Sequence, residues 1–81
     1  MKKPSFEHKI PQRLLHLRTI SNRTTQELAE VCKVRRVTYE GYEQGRTCPS
    51  LVKLVALCNF YGVSIEYILG IKDFDTLLYF D

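Results

Sequence analysis

Arg35 and Arg36 stand side by side where a short helical pattern opens, and Arg46 and Thr47 follow directly after the Gly45 that closes it. A guanidinium offers several N–H donors in one plane and keeps its charge at any physiological pH, so such a set is equipped to recognise an anion rather than to make or break bonds. The stretch that carries it, Thr24 to Gly45, reads TTQELAEVCKVRRVTYEGYEQG. It holds two short helical patterns joined by a break too tight for anything except a helix-turn-helix, with the arginine pair at the start of the second helix. That arrangement predicts a DNA-reading head.

Chemistry of other kinds finds little footing. No nucleophile–base pair, phosphate loop or carboxylate pair is visible, so the chain is not expected to be an enzyme. His8 and His16 have no Cys, Asp or Glu at ligand spacing, and Cys32, Cys48 and Cys58 are odd in number and form no C-x-x-C pair. Neither a disulfide framework nor a metal site is indicated, no cofactor is implied, and a reducing compartment fits best. Cys32 and Cys58 fall in apolar stripes and are expected in the core, whereas Cys48 is placed in a loop.

The 81 residues carry a net charge of only +3, but the charge is lopsided. Residues 1–46 hold ten Lys or Arg against five Glu, while the remainder holds Lys53 and Lys72 against Glu66, Asp73, Asp75 and Asp81. A basic half suits a polyanion partner, because Lys and Arg that neutralise phosphates release counterions and add affinity independent of sequence. A solvated basic surface is the alternative, and the positions of the charges must decide.

Five elements are expected to position these groups. Residues 1–9 read as a loose arm. A first helix spans about Pro11–Ile20, with Ile10, Leu14 and Leu17 on one face and Asn22 suited to the left-handed conformation that follows many helices. Thr24 with Glu27 forms a capping box ahead of a second helix, Thr25–Cys32. A third, Arg36–Gln44, has Arg35 at its N-cap, Tyr39 and Tyr42 three apart, and Gly45 as its stop. A fourth, Ser50–Tyr61, carries an almost continuous apolar band and is expected to be the most buried. Ser64 caps a fifth, Ile65–Leu69, closed by Gly70.

No strand pattern appears, so the fold is all-α and compact, a single domain over residues 10–70. At 44% hydrophobic and 26% charged residues the chain has the composition of a folded protein. It shows neither a leader sequence nor a stretch long and apolar enough to span a membrane. The tail, residues 71–81, carries Leu77, Leu78, Tyr79 and Phe80. These either form a dimer seam or cover the chain's own core.

Read in order, RLLHLR at Arg13–Arg18, TxxELA at Thr24–Ala29, Val34, YExG at Tyr42–Gly45, PS at Pro49–Ser50 and YGVSIEYILG at Tyr61–Gly70 resemble the Cro/phage-repressor type, or XRE family, of helix-turn-helix proteins. The resemblance covers about Arg13–Gly70. It implies a five-helix, lambda-repressor-like domain in which the second helix crosses the DNA backbone and the third enters the major groove. Because Tyr39 and Tyr42 must face the core, Arg36, Val37, Glu40 and Gly41 are expected on the groove side. Arg36 is expected to read guanine O6 and N7, the alternatives being a phosphate contact or a pair with Glu40. Val37 either packs on a thymine methyl or is merely exposed. Glu40 either accepts from cytosine N4 on the groove side or holds Arg36 in place, the second being the expected role. Gly41, mid-helix at a cost of roughly 1 kcal/mol against Ala, suggests close approach to something. Family members often carry a base-reading side chain there.

Phosphate contacts are expected from Thr25, Arg35, Thr38, Arg46 and Thr47. The resemblance also implies a half-buried ion pair between Arg18 and Glu43, tying the first helix to the third. Besides Gly41, two further departures stand out: Thr25 where the family usually has Gln, and Lys33 where it has Gly in the turn. The expected function is a cytoplasmic, prokaryotic or phage-encoded transcriptional regulator, a repressor acting as a homodimer on a palindromic operator. An antitoxin-like or adaptor module with a protein partner, and a controller protein of a restriction–modification system, are the competing expectations.

Overall fold

The computed structural model describes residues 6–71 of the chain. Five helices follow one another, α1 (Phe6–Ser21), α2 (Thr25–Cys32), α3 (Arg36–Gln44), α4 (Leu51–Tyr61) and α5 (Ile65–Leu69), and the described residues contain no strand. The all-α, five-helix architecture is therefore as expected. α1 lies against α3 and α5, and α2 packs on α3 and α4. Leu14, Leu28, Tyr39, Leu57 and Ile68 meet at the centre and are fully enclosed, so each helix contributes one anchor to a single core.

The sequence places the start of the first helix at Pro11, and the structure corrects this: α1 begins at Phe6 and carries Pro11 inside it. Of the expected arm, residues 6–9 are helical, and residues 1–5 lie outside the described residues. Proline removes one backbone donor and costs ~3 kcal/mol in a helix interior, which favours a helix starting at the ring. Tertiary packing outweighs that preference here. Ile10 is buried with Leu14 and Leu17, and the Lys9 side chain lies where a Cβ on Gly70 would stand.

Capping chemistry sets the other boundaries. Thr24 Oγ1 accepts from the Glu27 N–H at 3.1 Å while the Thr24 N–H donates to Glu27 Oε1 at 2.8 Å, completing the capping box ahead of α2. Ser50 and Ser64 cap α4 and α5 through the side-chain oxygen, which accepts from the Lys53 and Tyr67 N–H groups. α4 is not the most buried helix, as its apolar band suggests. Leu54, Leu57 and Cys58 are buried and Tyr61 packs against the core from the last turn, while Leu51, Val52 and Val55 are exposed. A continuous apolar band on a helix exceeds the single stripe that one core contact can cover.

Lys33 ends α2 in the left-handed region, φ 59° and ψ 45°, with its N–H donating to the Ala29 and Glu30 carbonyls. The turn thus keeps the left-handed geometry in spite of the side chain, which costs an L-residue about 1–2 kcal/mol. After allowing for the greater freedom glycine gains in the unfolded chain, Lys33→Gly is expected to stabilise by about 0.5–1 kcal/mol. Thermal melts should show a rise of roughly 2–8 °C.

Candidate nucleic-acid interface

α3 is seated by its aromatic side. Tyr39 is fully enclosed and Tyr42 nearly so, with ring centroids 5.9 Å apart in an edge-to-face arrangement. Burial raises the Tyr39 phenol well above its ordinary range, with the neighbouring Glu43 acting in the same direction. The hydroxyl has no hydrogen-bond partner among the described residues.

A second fixture fastens α3 to α1. Arg18 Nε donates to Glu43 Oε2 at 2.7 Å and its Nη2 to Glu43 Oε1 at 3.0 Å, the fork-on-fork geometry that fixes both side chains. Arg18 Nη1 also donates to the Arg23 carbonyl at 3.3 Å, which brings the turn before α2 into the same unit. The hydrogen bond to Glu43 raises the Arg18 guanidinium further above its already high value. The pair implied by the resemblance is therefore formed.

With Tyr39, Tyr42 and Glu43 turned inward, the opposite side of α3 is open. Val37 is 57% exposed and the Arg36 side chain 64%. Glu40 is half-buried between them and α2. Its Oε2 lies 3.7 Å from Arg36 Nε and accepts from Thr25 Oγ1 at 3.3 Å, so one carboxylate oxygen links the head of α2 to the head of α3. Glu40 and Arg36 are thus within ion-pair distance. The tie to Thr25 was not foreseen, since a contact across fifteen residues leaves no periodic trace in the sequence.

Arg35 is the N-cap of α3 and its side chain makes no capping hydrogen bond. Its guanidinium is exposed, as are Arg46 and Thr47 past the other end, while Thr38 is half-buried. Gln44, exposed four residues after Glu40 and seven after Val37, lies on the same face and was missed. Its i+4 and i+7 spacing was the signal for it.

Gly41 is the clear correction. It was expected on the groove side, yet it is buried, because the segment after α3 folds over it. A Cβ at this position would stand 3.2 Å from Thr47 Cγ2 and 3.7 Å from Arg46 Nη2. The Arg46 and Thr47 N–H groups both donate to the Gly41 carbonyl, at 3.0 and 3.4 Å. The close approach that its glycine suggested is to the chain itself.

Other expected positions carry less. Cys32 and Cys58 are buried, as foreseen, and Cys48, in its loop, is exposed. Burial raises the Cys32 thiol above its ordinary range. Leu77, Leu78, Tyr79 and Phe80 lie outside the described residues. Among the described residues no helix is long and apolar enough to cross a membrane.

Comparison with known proteins follows the same outline. The helix-turn-helix family profile matches residues 14–68, more than half of the chain. YobD of Bacillus subtilis (strain 168), described as an uncharacterized HTH-type transcriptional regulator, is 44% identical over 62 residues, covering 76% of this chain and 55% of that protein. The HTH-type transcriptional activator BcrR of Enterococcus faecalis is 32% identical over 66 residues, covering 82% of this chain and 32% of that protein. The chain thus spans about half the length of the first relative and about a third of the second. No solved structure matches it.

Proposed function

The chain belongs to the XRE-type helix-turn-helix family, and on that premise we propose that it binds double-stranded DNA in a sequence-specific manner and regulates transcription, as a homodimer on a palindromic operator. One observation supports the reading above the others. α3 turns Tyr39 and Tyr42 into the core and is braced by Glu43 on Arg18, while Arg36 and Val37 project from its free side.

In this reading α3 enters the major groove and α2 crosses the backbone. Arg36 donates to guanine O6 and N7 from the first turn, with Glu40 restraining the guanidinium, and Val37 packs on a thymine methyl. Gln44, nearer the far end of the helix, has the amide that reads adenine. Arg35, Thr38, Arg46 and Thr47 contact phosphates on either side. The Thr25 hydroxyl is directed to Glu40, so the first turn of α2 meets phosphate through main-chain N–H groups and the helix dipole. One such head reads few base pairs; two, about one helical turn (~34 Å) apart, read a palindrome. The tail with Leu77, Leu78, Tyr79 and Phe80 is the proposed seam between protomers.

Repression by promoter occupancy in the cytoplasm is the primary reading. Activation is the second, favoured by the activator named among the relatives. A promoter-fusion assay separates the two by the sign of the change in transcription.

The decisive experiment is selection of bound duplexes from a random pool. A repeated inverted motif is expected, and a pool without enrichment after several rounds sinks the proposal. On the selected site Arg36→Ala should cost ~1–3 kcal/mol and relax the preference at one base pair. Arg46→Ala should weaken specific and random duplexes alike and lower the salt slope by about one. Equal losses on both duplexes for Arg36→Ala would remove it from base reading.

A further inference from the structure

We infer that Gly41 is a positioning residue for the phosphate contacts of Arg46 and Thr47: its missing Cβ lets the segment after α3 lie on the flank of the recognition helix, beside Val37. The inference rests on the proposed DNA-binding reading and sharpens its partner to the sugar-phosphate backbone next to the groove that α3 enters.

Three observations converge. Position 41 follows Val37 by four residues, so it lies one turn along the same side of the helix, yet it is buried while Val37 is exposed. The cover is the segment itself, since the nearest atoms to a Cβ there would be Thr47 Cγ2 at 3.2 Å and the Arg46 guanidinium at 3.7–3.8 Å. Both N–H groups that hold the segment down, those of Arg46 and Thr47, converge on the Gly41 carbonyl.

On its other side the segment borders a cavity of about 240 Å³ whose lining includes Ile10, Pro11 and Tyr42. Its approach to α3 is fixed by the two hydrogen bonds to the Gly41 carbonyl and by the room above position 41. A methyl group at 41 would make Thr47 give way by a few tenths of an ångström, and the exposed Arg46 would move with it. The helix itself would tolerate the change, because alanine is a better helix former than glycine in mid-helix. Stability and DNA affinity are thus expected to respond in opposite senses, which a purely structural glycine would not produce.

The test uses the full chain with four variants, Gly41→Ala, Arg46→Ala, Thr47→Ser and the Gly41→Ala/Thr47→Ser pair. Each is measured by thermal melting and by titration of the selected duplex and a random-sequence duplex across a salt series. Gly41→Ala is expected to melt no lower than the natural chain. It should bind both duplexes about tenfold more weakly, the order of one lost charge-assisted contact, with a salt slope lower by about one. Thr47→Ser removes the methyl nearest the new Cβ and should restore most of the affinity in the pair. The effect of Gly41→Ala should vanish in the Arg46→Ala background.

Binding by Gly41→Ala equal to the natural chain, or a loss on the selected duplex alone with the slope unchanged, would overturn the inference while leaving DNA binding intact. Absence of duplex binding by the natural chain would overturn both. A lowered melting temperature in Gly41→Ala that Thr47→Ser does not rescue would make the glycine a packing residue only and end the proposal.

Discussion

Tyr39→Ala should be the most damaging single change in the chain, costing about 3–5 kcal/mol. The ring is fully enclosed, touches Tyr42 edge to face, and comes from the helix that carries the open face. A domain of 81 residues holds roughly 4–12 kcal/mol in all, so chemical denaturation should find a large part of that gone. Tyr39→Phe is the control. It keeps the ring and removes only a hydroxyl without a partner, so it should cost less than about 1 kcal/mol. The pair of variants also reports on alkaline unfolding. Burial raises the Tyr39 phenol well above its ordinary value, pushes Tyr61 up to about 12, and raises Tyr42. A phenol raised in the folded state contributes stability that is complete below pH ~10 and lost as pH climbs through the raised values. The alkaline limb of stability against pH should therefore begin near pH 10 and be shallower in Tyr39→Phe. An identical limb in that variant would show that Tyr39 does not titrate with unfolding.

Glu43→Ala is expected to cost about 2–3 kcal/mol, below the ~3–5 of a fully buried pair because Arg18 keeps some contact with water. The Glu43 side chain is 8% exposed and that of Arg18 23%, so removal of the carboxylate leaves a partly desolvated guanidinium with only the Arg23 carbonyl. The brace between α1 and α3 would be lost with it. Affinity for the selected duplex should then fall more than affinity for a random one, since in the proposed reading base contacts depend on the pose of α3 and backbone attraction does not. Unchanged melting and unchanged binding would dismiss the pair as ornamental. Glu43→Gln, which keeps the shape and one acceptor, should lie between the two.

Much of this fold can be read from local chemistry. The capping box at Thr24, the serine caps at Ser50 and Ser64 and the stop at Gly45 each act within three or four residues, and α2, α3 and α5 have the bounds such signals predict. α1 escapes because its first turn is held by contact with the far end of the domain, against the preference of Pro11. α4 misleads because an apolar band reports what a helix can bury without saying how much cover is available. In the candidate site, Arg36, Val37 and Glu40 follow from the inward pull of two tyrosines, a matter of period alone. Gly41 follows the same period and is nevertheless covered, because a loop returning over a helix leaves no periodic mark. The link from Thr25 to Glu40 is hidden for a similar reason, joining two helices through a single oxygen.

The seating of Lys9 on Gly70 has a wider consequence. It closes the described chain into a ring, since α1 rests on α5 and brings Lys9 to Gly70 across some sixty residues of sequence. Contacts of such long range form only after a large loop has closed, so the junction of α1 with α5 belongs to the late stage of folding. α1 also carries Arg18, the brace of α3. Removal of the first turn of α1 or of α5 would open the ring and, through Arg18, unlatch α3 on the opposite side, so the domain's two margins and its third helix stand or fall as one cooperative circuit.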